Sequence, residues 1–269
     1  MKLLPVRPRD KISLGDRAAL PPRSLDADDD TLEKKMEKLR MRLDELQNAL
    51  YAESERSLLV VLQARDAGGK DGTIRRVFSS VNPQGCDVTS FKAPSHVELA
   101  HDYLWRVHAA VPARGMIGIF NRSHYEDILA VRVHKLAPKK AWKPRYEQIN
   151  DFERMLTQNG VTILKFFLHI SKEEQRVRLC ERLTDEAKNW KFQADDLKER
   201  DLWDEYTRAY IDVFRKCSTQ YAPWFIVPAD RKHARDYLVL EKIVSTLERM
   251  DPEYPEADPK TLKLLSKLQ

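Results

Sequence analysis

The sequence predicts a doubly wound α/β fold: a five-stranded parallel sheet with helices on both faces and a helical lid. Five short apolar runs recur along the 269 residues, the intervals between them are long enough for crossover helices, and a glycine-rich turn follows the first run. Parallel strands cannot be joined by tight hairpins, and strands buried on both faces read as unbroken apolar runs. Alternation of such runs with helix-period segments is the pattern of an α/β sheet.

Residues 1–30 are rich in Pro, Arg and Asp and lack periodicity, which predicts an extended N-terminal arm. Thr31 is the expected N-cap of a long amphipathic helix over 31–53. There Leu32, Met36, Leu39, Leu43, Leu46 and Leu50 recur at steps of four and three, a heptad seam. The seam packs either on the helix's own domain or on another subunit. A kinase-sized domain follows over 54–250, with a C-terminal tail over 251–269.

Within it, Leu58-Leu59-Val60-Val61-Leu62 reads as a fully buried strand, followed by strands at 88–91, 116–120, 162–169 and 224–227. Helix-period segments at 96–110, 145–158, 172–183 and 233–249 supply the crossovers. Between the last two strands, at about 184–222, lies a charged stretch carrying large aromatics, which suits a helical lid. Trp190 and Phe192 are its candidates for covering a base. No internal repeat is visible.

Hydrophobic residues make up 42% and charged residues 33%, a balance that excludes disordered and low-complexity chains and supplies a core. No run approaches a membrane span, and the N-terminal residues hold no apolar run that could serve as a signal peptide. Three widely spaced cysteines match no zinc pattern. A reduced, cytoplasmic protein is expected. The net charge of +5 admits a polyanionic partner.

After the first run comes Gln63-Ala64-Arg65-Asp66-Ala67-Gly68-Gly69-Lys70-Asp71-Gly72-Thr73, leading into a helix from about Ile74. A glycine-rich turn between a buried strand and a helix presents backbone amides, and the helix dipole adds partial positive charge. Lys70 supplies a mobile cation. This is the physics of the Walker A loop, with two departures: Ala64 replaces the first glycine, and Asp71 stands at the magnesium-binding Ser/Thr. Gly68, Gly69, Lys70, Asp71, Gly72 and Thr73 are the expected phosphate cradle. Two carboxylates inside an anion site, Asp66 and Asp71, make sense with a bridging divalent cation.

The third run ends in Asn121-Arg122-Ser123-His124-Tyr125-Glu126-Asp127. Open α/β sheets bind ligands beyond the carboxyl ends of their strands, so Arg122 is expected beside the phosphate loop. Asn121 is neutral where a Walker B strand carries Asp, so metal binding falls to Asp66, Glu126 or Asp127. His124 reads as structural or as a phosphate hydrogen bonder. Arg75, Arg76, Arg132, Arg178, Arg182 and Lys191 are further candidate phosphate cations, more than a single nucleotide requires.

The loop, together with Phe120–Asp127, Trp190-Lys191-Phe192 and Trp203-Asp204, resembles the second polyphosphate kinase family, the polyphosphate:nucleotide phosphotransferases. The similarity runs from about residue 50 to 250. It implies a P-loop kinase fold with a helical lid, and catalysis by Asp66, Lys70, Arg122 and Asp127. The implied chemistry is metal-dependent, by magnesium or alternatively manganese. The implied substrates are inorganic polyphosphate and adenine nucleotides, with guanine nucleotides as a second expectation. Asn121-Arg122 followed by Glu126-Asp127 resembles the subclass acting on both nucleoside mono- and diphosphates. Members usually form homodimers or homotetramers, and neither nucleic acid nor membrane is an expected partner. The rival enzyme is an ATP-dependent nucleoside monophosphate kinase of thymidylate-kinase type, and a nucleic-acid-binding P-loop module is a third reading.

Overall fold

The computed structural model describes residues 3–7, 9–25 and 28–262; the final residues of the expected tail lie outside them. Five strands form one all-parallel sheet: β1 (Ser57–Ala64), β2 (Cys86–Ser90), β3 (Ile117–Asn121), β4 (Val161–His169) and β5 (Trp224–Pro228). Their spatial order is β2-β3-β1-β4-β5. Val61 is paired with Phe120 on one side and Lys165 on the other, so β1 is central. Every residue of β1 is buried. Its side chains alternate between two cores, as a strand requires: Leu58, Val60 and Leu62 on one face, Leu59 and Val61 on the other.

The first face is covered by α1 (Asp29–Glu53), α2 (Lys70–Val77) and α11 (Lys232–Met250), the second by α4 (Trp105–Ala109), α5 (Glu126–Val133), α7 (Arg145–Gln158) and α10 (Trp203–Cys217). The heptad seam of α1 is buried within the chain, at Leu32, Met36, Leu43, Leu46 and Leu50, and α1 lies along α11. Its N-cap is Asp28 rather than Thr31: the Asp28 carboxylate accepts from the Thr31 amide at 2.7 Å and from its hydroxyl at 2.9 Å. A carboxylate at that position satisfies an amide the helix leaves open.

Three expectations are corrected. The segment 96–110 is two short helices, α3 (His96–Leu99) and α4, because Ser95 and Glu98 close a capping box and Asp102 caps the Leu104 amide. The helix after the phosphate loop begins at Lys70, because Gly69 takes a left-handed conformation and starts it early. The expected lid is shorter than 184–222. Residues 203–217 form α10, whose Ala209, Tyr210, Val213, Phe214 and Cys217 are core. The polar covering segment runs from the end of α8 (Lys172–Thr184) through α9 (Asp195–Asp201). The remaining helices are α6 (Lys139–Trp142) and α12 (Pro259–Leu262).

The N-terminal arm is bound along the outer side of β5. The Val6 amide donates to Trp224 O at 2.8 Å, and the Asp230 amide to Ala19 O at 3.1 Å. Ser218 Oγ donates to Val6 O at 2.6 Å. Buried His169 meets Gly15 O through Nε2 at 3.1 Å, and burial pushes its pKa down to about 4. No helix among the described residues is long and apolar enough to cross a membrane.

Candidate active site

The phosphate loop joins β1 to α2 in a conformation its sequence dictates. A Cβ on Gly68 would stand 2.5 Å from Ala64 Cβ and 2.8 Å from Arg65 O, so only glycine fits. Gly69 holds φ +94°, where other side chains are strained. The back of the loop is fastened to α8. Gln175 Nε2 donates to Asp66 O at 3.0 Å, and Arg178 Nη1 to Ala67 O at 3.0 Å. The loop's rear carbonyls are thus occupied, leaving the helix N-terminus to face a ligand.

Lys70 is buried, with Nζ 3.5 Å from Ala64 O. Burial, with the Arg122 charge, pushes its pKa down to about 8, against the pull of Asp66, Glu126 and Asp71. A phosphate placed there restores the cation's partner.

β3 delivers Asn121 and Arg122 beside this loop. Asn121 Nδ2 donates to Asp71 Oδ1 at 2.8 Å. Arg122 Nη2 donates to Asp66 Oδ1 at 3.1 Å. Burial opposes the Arg122 charge, and Glu126 and Asp66 outweigh it, so its pKa is raised. Arg122 holds φ +63°, a conformation unfavourable for a side chain of this size. Its amide is tied to Leu62 O at 3.0 Å.

Behind this turn lies a buried polar network. Lys165 Nζ donates to Glu153 Oε2 at 2.6 Å, to Tyr125 Oη at 2.7 Å and to Cys217 O at 2.7 Å. Tyr125 Oη donates to Glu153 Oε1 at 2.9 Å, and His124 Nε2 lies 3.3 Å from the same oxygen. Burial would raise the Glu153 pKa, yet Lys165 and His124 hold it below the usual carboxylate value. His124 therefore serves the network behind the turn.

A cavity of about 250 Å³ opens at the strand ends. Asp66, Arg122 and Glu126 line its floor, and Asp195, Asp196 and Glu199 face it from α9. Glu126 is held by Gln63, whose Nε2 donates to its Oε1 at 3.0 Å while the Gln63 oxygen accepts from Ser123. Burial, with Asp66 and Asp127 nearby, raises the Glu126 pKa against Arg122 and Lys70. His134 joins α5 to the cover, 2.9 Å from Glu199 Oε1 and 3.1 Å from Tyr206 Oη.

The expected metal trio is not assembled. Among the described residues no three His, Cys, Asp or Glu side chains form a metal-holding group. Asp66 and Glu126 share the cavity, whereas Asp127, one residue on along α5, faces Arg145 at 3.7 Å and Arg106 at 3.9 Å. Neighbouring helix positions diverge by about 100°, which separates the two carboxylates. Burial raises the Asp127 pKa, opposed by Arg106 and Arg145.

The expected phosphate cations divide similarly. Lys70 and Arg122 reach the loop, and Arg182 reaches the cavity's edge through Asp196 at 3.3 Å. Arg178 is turned to structure: Glu174, Ala67 O, Ala229 O and Asp230 O take its donors. Arg76 pairs with Glu33 of α1 at 2.9 Å, and Arg75 is exposed on α2's last turn. Arg132 is bound to Asp212 at 2.7 Å. Thr73 is buried and donates to Asp236 Oδ1 at 3.0 Å. The Lys191 side chain lies outside the described residues.

Sequence reasoning missed Arg65, whose guanidinium lies 4.0 Å from the Trp203 ring centroid at the cavity wall. Its place between Ala64 and the catalytic candidate Asp66 was the available signal. It also missed Gln63 and the carboxylates of α9.

A parallel sheet, a glycine-rich loop opening a helix from its central strand, and a lysine and arginine at the strand ends define a phosphotransferase of the P-loop kinase fold. The sequence profile described as Polyphosphate kinase 2 matches residues 26–255. The chain belongs to the polyphosphate kinase 2 family. It is 55% identical over 227 residues to the AMP/ADP-polyphosphate phosphotransferase of Meiothermus ruber, covering 84% of this chain and 85% of that protein. It is 46% identical over 240 residues to the ADP-polyphosphate phosphotransferase of Rhodopseudomonas palustris, covering 85% and 83%. The crystal structure of Polyphosphate Kinase 2 from Arthrobacter aurescens superposes with a TM-score of 0.89 at 38% identity, over 100% of this chain and 99% of that one.

Proposed function

We propose that this protein transfers the terminal phosphoryl group of inorganic polyphosphate to AMP or ADP, reversibly. The observation that carries this is the convergence of Lys70, Asp66, Arg122 and Glu126 at the carboxyl ends of β1 and β3. Membership of the family and the names of its relatives support the substrates.

A terminal phosphate oxygen of the nucleotide attacks the end phosphorus of the chain. The bond to the bridging oxygen breaks, and the shortened chain leaves with its electron pair. Both the bond broken and the bond formed are phosphoanhydrides, so the transfer runs either way. Catalysis rests on positioning and charge neutralisation. Lys70 and Arg122 stabilise the migrating group, and Asp66 orients Arg122 through their hydrogen bond. Asp127, held between Arg106 and Arg145, fixes the first turn of α5 and with it Glu126. The cover carrying α9 excludes water from the transfer.

Asp66 and Glu126 fit a magnesium ion, or alternatively manganese. Such ions take one or two carboxylates, the rest of their shell being substrate phosphate and water. Bound there, the ion neutralises phosphate charge. Guanine nucleotides as additional acceptors, and assembly as a homodimer or homotetramer, complete the reading.

Purified protein given ADP, magnesium and long-chain polyphosphate is expected to make ATP with no other donor, and to make ADP from AMP. No ATP in that mixture, with activity on ATP plus dTMP, overturns the reading in favour of a nucleoside monophosphate kinase. Light scattering coupled to gel filtration checks the assembly.

A further inference from the structure

Arg235 stands in the first turn of α11, far along the chain from the phosphate loop, and its guanidinium rests against the loop's last glycine. A Cβ built on Gly69 would lie 2.1 Å from Arg235 Nη1, and one on Gly72 would lie 3.7 Å from Nη2. The Arg235 side chain is 3% exposed. Its Nε donates to Asp236 Oδ1 at 2.7 Å. Among the described residues Nη1 and Nη2 make no hydrogen bond.

Asp236 is fully buried and not reserved for Arg235: Thr73 donates to its Oδ1 at 3.0 Å, and Arg76 Nε lies 3.6 Å from Oδ2. Arg178 Nη1 comes within 3.4 Å of the same Gly69 Cβ position. Two guanidinium groups therefore converge on Gly69, and the Arg235 charge adds to burial in lowering the Arg178 pKa. Asp236 partners Nε alone, and leaving the other two nitrogens of a buried guanidinium idle is unfavourable unless a further acceptor completes them. The position is also the N-terminus of the eight-residue helix α2, where first-turn amides and the dipole favour negative charge.

We propose that Arg235 binds a phosphate of the polyphosphate chain at the N-terminus of α2, outside the cavity of Asp66 and Arg122. This rests on the reading that the protein takes polyphosphate. The two regions differ in chemistry. The cavity is lined by carboxylates and suits a metal with the reacting phosphates. The Arg235 position offers a planar fork beside the positive charge of Arg178, whose own donors are taken by Glu174 and backbone carbonyls, and this suits an unreacting phosphate further along a chain. A nucleotide has no phosphate to spare for it.

Calorimetry measures the affinities of tripolyphosphate and of ADP for wild type, Arg235→Gln and Arg235→Lys, and steady-state kinetics gives KM for long-chain polyphosphate. Arg235→Gln is expected to weaken tripolyphosphate binding by about 10- to 100-fold, the effect of losing a charged hydrogen-bonding partner. ADP affinity stays within about twofold, and Arg235→Lys falls in between because it keeps charge without the fork. Equal tripolyphosphate affinity in Arg235→Gln overturns the proposal, as does a parallel loss for ADP, which marks collapse of the loop. If Arg235→Gln does not fold, Arg235→Lys decides: a KM for polyphosphate raised about tenfold supports the proposal, and an unchanged KM overturns it. Wild type that binds ADP but no tripolyphosphate refutes the substrate reading itself, before any variant is made.

Discussion

Arg122 and Asp66 meet at 3.1 Å across the gap between β3 and the phosphate loop, and the arginine adopts φ +63° to make the contact. Two loops from neighbouring strands are thereby joined by one charge-assisted bond at the carboxyl ends of β1 and β3. The arginine side chain is still 45% exposed, so its removal leaves the core untouched.

Arg122→Ala is accordingly expected to lower turnover by at least about 10², with an unchanged melting temperature. Turnover within a few-fold of wild type in the folded variant would remove Arg122 from the catalytic machinery.

Lys70 carries a pH signature. Its pKa is pushed down to about 8, chiefly by burial, and the charged form lies below that value. In the free protein the lysine therefore loses its proton as pH rises through about 8. The kcat/KM for polyphosphate is expected to fall along the same limb, since that parameter reports the free enzyme. Lys70→Arg, which stays protonated, should abolish the limb at whatever activity remains. A limb that persists in Lys70→Arg belongs to another group.

The Asn121–Asp71 bond makes a prediction by exchange. Asn121→Asp sets two carboxylates where a 2.8 Å hydrogen bond now stands, and kcat should drop by about 10- to 100-fold. The double variant Asp71→Asn with Asn121→Asp restores a donor facing an acceptor and should recover much of the loss. Kinetics of all three proteins across a magnesium series provides the check; a double variant no better than the single refutes the pairing.

Lys165 and Glu153 are both fully buried and 2.6 Å apart. Glu153→Gln leaves the ammonium uncompensated and is expected to cost about 3–5 kcal/mol in urea unfolding. Replacing both with methionine should cost far less, because no unpaired charge remains. A single variant as stable as wild type would show that the network does not hold the turn behind Arg122.

Much of this was legible in the sequence. Apolar runs located β1, β3, β4 and β5, whose residues are largely buried, whereas β2 is an edge strand with exposed residues and gave a weaker signal at 88–91. The loop and Arg122 were legible because a Walker-like spacing and the strand-end rule are local. The failures were of two kinds. Helix ends at 96–110 and at Lys70 were decided by single capping groups, Ser95 and Gly69, which periodicity does not register. Cations were overcounted because charge is visible in sequence but partners are not: Arg76, Arg132 and Arg178 were spoken for by Glu33, Asp212 and backbone carbonyls. Arg235 was missed for the converse reason, since only the folded chain brings α11 to Gly69.

The family profile begins at residue 26, yet Val6, Gly15 and Ala19 are already bonded to β5 and its flanks. The opening segment thus works as a hem on the sheet: β5 is an outermost strand, and an outermost strand left bare invites pairing with its counterpart on another molecule. Trimming the protein to residue 26 is expected to spare Asp66, Lys70 and Arg122 and still to lower solubility, because it bares the outer edge of β5.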